Sequence, residues 1–193
     1  MSQLPLLEKF IAAVYPLSPV ELDHFLAIWE PFSAKRKTML TRAGDTERNL
    51  YFVTEGIQRV FYYDELDREA TIIFSYPPSF FGVADSFLTQ TPSRFFAETL
   101  TPSSFLKTTF NQLDELMKQQ QAIERMIRML TTFAFSGLME RMVEIQCFNA
   151  ESKFKTLLKR SPNLINLIPH KYIANYLGID PTNFSKLLAK VRI

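Results

Sequence analysis

QQQAIERMIRMLTTFAFSGLMERMVEIQCF, residues 119–148, contains no proline and a single glycine, Gly137. Small and apolar residues recur along it at alternating steps of four and three: Ile123, Ile127, Leu130, Ala134 and Gly137, with Arg141 closing the line. That spacing is the seam of a coiled coil. A second apolar line, Met126, Met129, Phe133, Leu138, Met142 and Ile145, runs beside it. A helix over this stretch, at about 1.5 Å per residue, is roughly 45 Å long, more than a small domain is wide. The pattern therefore predicts a spine between two domains. It also predicts a dimer interface in which Ile123, Ile127, Leu130, Ala134 and Gly137 meet a second copy of the same helix.

The rest of the composition sets bounds on both sides of that spine. With 193 residues, 47% of them hydrophobic and 22% charged, the chain has enough apolar material for two small cores. The first residues lack a basic-then-apolar leader pattern, and no apolar run approaches a membrane span, so a cytoplasmic protein without a membrane partner is expected. Cys147 is the single cysteine and His24 and His170 are the only histidines, which rules out an internal disulfide and leaves no zinc or iron–sulfur ligand set. Cys147 reads as a helix-packing residue. Five scattered glycines form no phosphate loop, and no nucleophile stands beside a base, so neither a catalytic residue nor a metal site is expected. The net charge of +2 divides unevenly: residues 153–193 carry eight basic side chains against Asp180 alone, a net of +7, which leaves −5 on residues 1–152. A basic C-terminal end suits a polyanionic partner, and a solvated basic surface has the same composition.

Before the spine the chain changes texture twice. A helix is expected over residues 4–14 and another from Ser18, where Ser18-Pro19-Val20-Glu21 forms a capping box, to about Trp29. Beyond Pro31 come short β-type runs: residues 49–54 and 57–63 around the reversal Glu55-Gly56, then 69–74, 94–100 and 104–107. Seven or so such strands in this interval predict an antiparallel sandwich or barrel. Thr109-Phe110-Asn111-Gln112 caps a short helix that leads to the spine.

Leu50-Tyr51-Phe52-Val53-Thr54-Glu55-Gly56-Ile57, the strand 58–63, Phe81-Gly82 and the helix-like residues 85–88 resemble the double-stranded jelly roll of the cyclic-nucleotide-binding Crp/Fnr regulators. The likeness continues through the spine to the C-terminus. In that family, a glutamate beside the glycine holds the ribose and an arginine near a serine or threonine holds the cyclic phosphate. A buried phosphate needs such a paired cation. Here Val83 stands at the glutamate position, and Arg94 follows Ser93 outside the family's register. Gly82, Val83 and Arg94 are thus the candidate effector pocket. Its ligand is unknown, and cyclic AMP is not expected to bind.

The other informative stretch is residues 168–188. Pro169 opens a short helix with Ile173, Ala174 and Leu177 facing inward, Gly178 allows a left-handed turn, and Asp180-Pro181 caps a second helix with Phe184, Leu187 and Leu188 inside. A plain αα-hairpin shares this pattern, but the small, turn and apolar residues sit where a DNA-binding helix-turn-helix needs them. The unit resembles the family's DNA-reading motif. Thr182, Asn183, Ser185 and Lys186 fall on the exposed face of its second helix, with Lys171 and Lys190 placed for phosphates. In place of the family's Arg-Glu pair and following Arg stand Pro181-Thr182 and Lys186, so the target sequence does not transfer.

Together these readings predict an α+β chain. An antiparallel jelly roll (1–118), cyclic-nucleotide-binding-like, is followed by a dimerisation helix (119–148) and a winged-helix-type helix-turn-helix domain (149–193). The function expected is allosteric transcription regulation by a homodimer. Double-stranded DNA, a second copy and RNA polymerase are the partners the resemblance implies. The competing class is an effector-binding or interaction module that does not read DNA.

Overall fold

The computed structural model describes residues 3–190. Two helices, α1 (Leu4–Val14) and α2 (Pro19–Ala27), precede eight strands: β1 (Glu30–Ala34), β2 (Met39–Thr41), β3 (Asn49–Glu55), β4 (Gln58–Tyr63), β5 (Glu69–Ser75), β6 (Ser79–Phe81), β7 (Phe96–Thr99) and β8 (Ser103–Thr109). The short helix α3 (Ala84–Thr89) interrupts them between β6 and β7. Local chemistry fixes the helix starts. At α2 the Ser18 hydroxyl accepts the Glu21 N–H while the Glu21 carboxylate accepts the Ser18 N–H at 2.8 Å. Thr109 and Gln112 repeat that box at α4 (Phe110–Gln119).

The strands form two antiparallel sheets, ordered β1-β8-β3-β6 and β2-β7-β4-β5. Sequence neighbours are split between sheets, as in a jelly roll. The central strand β3 is buried on both faces: Tyr51 and Val53 meet Val60, Phe81, Ala97 and Phe105 between the sheets, and Phe52 points to the helices. At the β3–β4 reversal Gly56 has φ +85°, and a Cβ there would lie 2.5 Å from the Pro102 carbonyl. No L side chain fits that turn. The strands β1, β2 and β6 were not anticipated. β1 contains Pro31, tolerated because it is an edge strand, and β2 and β6 are three residues each, too short to show a period.

The long helix α5 (Gln121–Cys147) follows a break at Gln120. Its three parts have different surroundings. Ile123, Met126 and Ile127 are buried with Leu7, Ile11, Phe25, Phe52, Leu106 and Leu113 in one core under α1, α2 and α4. Residues 131–140 are exposed, and Arg141 and Glu144 are buried again. Beyond α5 the chain forms α6 (Ala150–Arg160), α7 (Leu164–Leu167), α8 (His170–Leu177) and α9 (Pro181–Lys190). Their core is Phe154, Leu157, Leu164, Ile165, Ile168, Ile173, Leu177 and Phe184, which Ile57 and Leu100 of the sandwich also join. Among the described residues this C-terminal unit is wholly helical. None of the helices described is long and apolar enough to cross a membrane.

Candidate nucleic-acid interface and sensor site

The turn between α8 and α9 holds α9 in place. Gly178 takes the left-handed conformation at φ 62°, and the Gly178 and Ile179 N–H groups close the end of α8 by donating to the Asn175 and Ala174 carbonyls. Asp180 Oδ1 then accepts the N–H groups of Thr182 at 2.9 Å and Asn183 at 3.2 Å, capping α9. Phe184 is fully buried, edge-on to Phe154 at 5.3 Å between ring centroids. Anchoring Phe184 turns Thr182, Asn183, Ser185, Lys186 and Lys190 outward, and all five are exposed. The Ser185 hydroxyl donates back to the Pro181 carbonyl at 3.0 Å, and Lys190 pairs loosely with Glu151 at 3.4 Å. Lys186 is in no ion pair among those described. Lys171 is exposed at the start of α8, its ammonium 4.7 Å from the Tyr172 ring centroid.

The sensor candidates do not converge. Val83 is buried in the sandwich core, beside Gly82 at φ +140°, whereas Arg94 is exposed with its guanidinium 5.9 Å from the Phe95 ring. A buried carboxylate that the sequence reading missed sits there instead. Glu47 accepts the Thr41 hydroxyl and the Asn49 N–H, and the Val83 N–H at the start of α3 is also turned to it. Burial pushes the Glu47 carboxyl above its usual range, and those donors only partly pull it back.

The dimer seam needs correcting at the level of the helix face. Ile123 and Ile127 are buried in the chain's own core, Leu130 packs against it, and Ala134 and Gly137 face a cavity beside β5 and β6. Ile123 and Ile127 are therefore closed to a second copy, whereas Ala134 and Gly137 remain exposed. Apolar side chains are exposed all along this part of α5, Phe133, Met139 and Val143 among them, and one line of them, Phe135, Leu138, Met142 and Ile145, runs in steps of three and four. Leu138, Met142 and Ile145 belong to the second apolar line of the sequence. Cys147, read as a packing residue, is exposed.

Sequence reasoning also missed how α8 meets the sandwich. The Asn175 side chain accepts the Thr71 N–H at 2.5 Å and donates to the Glu69 carbonyl at 2.6 Å, so its amide occupies the free edge of β5 as a strand would. Beside it, the Arg59 guanidinium lies 4.0 Å from the ring centroids of both Phe61 and Tyr172 and bonds Glu98 at 2.6 Å and Glu69 at 2.7 Å. Burial opposes the Arg59 charge, but the two carboxylates outweigh it and raise its pKa. Arg141 of α5 donates to the Tyr176 carbonyl and stacks on the Tyr176 ring at 4.0 Å. Nothing in the local sequence marks Asn175 or Tyr172, because their partners lie about a hundred residues away.

Residues 31–120 match the family described as cyclic nucleotide-binding domain. Over 190 residues the chain is 24% identical to the anaerobic regulatory protein of Pasteurella multocida, covering 92% of this chain and 69% of that one. Solved structures share the fold of this chain. FixK2 from Bradyrhizobium japonicum superposes with a TM-score of 0.77 at 16% identity, over 84% of each chain. The c-di-GMP responsive global regulator CLP of Xanthomonas campestris superposes at 0.67 with 15% identity, over 90% of this chain and 91% of that one. A transcriptional regulator of the Crp/Fnr family from Eubacterium rectale superposes at 0.70 with 17% identity, over 90% and 83%.

Proposed function

We propose that this chain is a Crp/Fnr-type transcription regulator, a homodimer joined along α5 that reads duplex DNA with α9 under the control of a sandwich that does not take cyclic AMP. The observation that carries the reading is the outward face of α9. On a helix capped by Asp180 and anchored by Phe184, it presents Thr182, Asn183 and Lys186 to solvent near the N-terminal end, the end that reaches base edges in a helix-turn-helix. Lys186 lies one turn into α9 and has the reach and donor capacity for guanine, while Lys171 and Lys190 stand where phosphates pass. The surplus of positive charge on residues 153–193 supplies the sequence-independent part of the attraction.

These roles separate in a titration over several salt concentrations on selected and scrambled duplexes. Lys186→Ala is expected to cost about 1–3 kcal/mol on the selected site and to relax one base position in each half-site. Lys190→Ala should weaken all duplexes alike and flatten the salt slope, because a phosphate contact carries no sequence information. Wild-type protein that bound no duplex at low salt would defeat the reading.

A further inference from the structure

A partly open cavity of about 340 Å³ lies where the sandwich, α5 and the C-terminal helices meet. Its walls are mostly apolar, with Phe74, Leu138, Leu157 and Tyr176 prominent, and its charged lining residues, Arg141 and Arg160, are both cations. One carboxylate, Glu144, is bonded to both guanidiniums. Two positive charges therefore share one negative charge, and the Arg141 side chain is only 7% exposed. The Arg160 side chain is 45% exposed, so the net cation stands at a partly hydrated wall, which still favours an anionic guest.

Gly137 adds an independent observation. It lines this cavity in the middle of α5, its φ is not positive, and nothing lies within 4 Å of where its Cβ would be. A mid-helix glycine costs about 1 kcal/mol relative to alanine. Neither a turn nor a close neighbour in this chain requires one here. Its lack of a side chain leaves the cavity open between Ala134 and Leu138.

We infer that this cavity binds a small organic monoanion with an apolar body, its carboxylate on Arg160 and Arg141 and its body against Phe74, Leu138 and Leu157. The volume falls at the small end of the range for ligand pockets. Because the walls come from three parts of the molecule, occupancy would bias how the reading unit sits on the sandwich. That consequence rests on the regulator reading proposed above, but the binding itself does not.

The test is calorimetric titration of the full chain, without DNA, with octanoate, octanol and octylammonium as probes. Octanoate is expected to bind about tenfold more tightly than octanol, the worth of one charge-assisted hydrogen bond, and octylammonium should give no saturable heat. Gly137→Leu, which fills the cavity from an exposed stretch of helix, should abolish octanoate binding while leaving the circular dichroism unchanged. Arg160→Gln should bring octanoate down to the affinity of octanol. Octanoate binding no tighter than octanol, or equally tight to both variants, overturns the site. Octanoate binding by a protein that ignores every duplex would instead remove the DNA reading and leave the site standing.

Discussion

Glu47 sets a buried carboxylate beside Gly82 and Val83, where an anionic ligand of the candidate pocket would have to lie. It accepts the Asn49 N–H at the start of β3 at 3.1 Å, and the Val83 N–H before α3 is turned to it, so an incoming anion meets a carboxylate that already draws on the donors beside it. Val83 offers no hydrogen bond to a ribose hydroxyl, and Arg94 is turned to solvent. Burying a cyclic phosphate beside Glu47 without a paired cation would cost several kcal/mol. Calorimetry with cyclic AMP should therefore show no saturable binding at micromolar concentrations. A dissociation constant in that range would mean that Arg94 swings inward and that the site rebuilds around it.

Two elements join the ends of the molecule. The line Phe135, Leu138, Met142 and Ile145 is one exposed apolar stripe of α5, and the proposed dimer would bury it. Phe135→Glu combined with Met142→Glu should give folded monomers in sedimentation, whereas Ile127→Glu should lower stability by several kcal/mol, because it places a charge in the chain's own core. A double variant that remains a dimer of unchanged strength would rule this face out. The other element is α8, fastened to the edge of β5 by the Asn175 amide. Asn175→Ala removes two hydrogen bonds worth about 1 kcal/mol each, so exchange of the Thr71 amide is expected to rise by about tenfold or more, with Ile173 and Leu177 still protected. Unchanged exchange at Thr71 would show that the contact does not hold α8 in place.

For the whole molecule, the spine and the reading helices together set a length. A dimer built on α5 should place its two α9 helices about 34 Å apart, one turn of duplex, and so select inverted half-sites at that spacing. Selection from a random pool should return such pairs, and inserting half a helical turn between them should lower affinity to the non-specific level. Selected sites that tolerate the insertion would mean that the two copies read independently.

Much of this architecture was legible in local sequence because the physics that sets it is local. The capping boxes at Ser18 and Thr109, the left-handed turn at Gly178 and the cap at Asp180 each involve residues within a few positions of one another. The strong β-runs around Gly56 were visible for the same reason, whereas β1 was hidden by Pro31 and β2 and β6 by their brevity. By itself the sequence determined the jelly roll, the long helix and the helix-turn-helix. Only the tertiary structure decided that Ile123, Met126 and Ile127 are buried in the chain's own core, because the two apolar lines share a period and it is packing against Leu7, Phe25 and Leu113 that covers the start of both. It alone also turned Arg94 to solvent, set Glu47 under α3 and brought Asn175 to the edge of β5. Those placements depend on contacts across tens of residues, and no spacing along the chain encodes them.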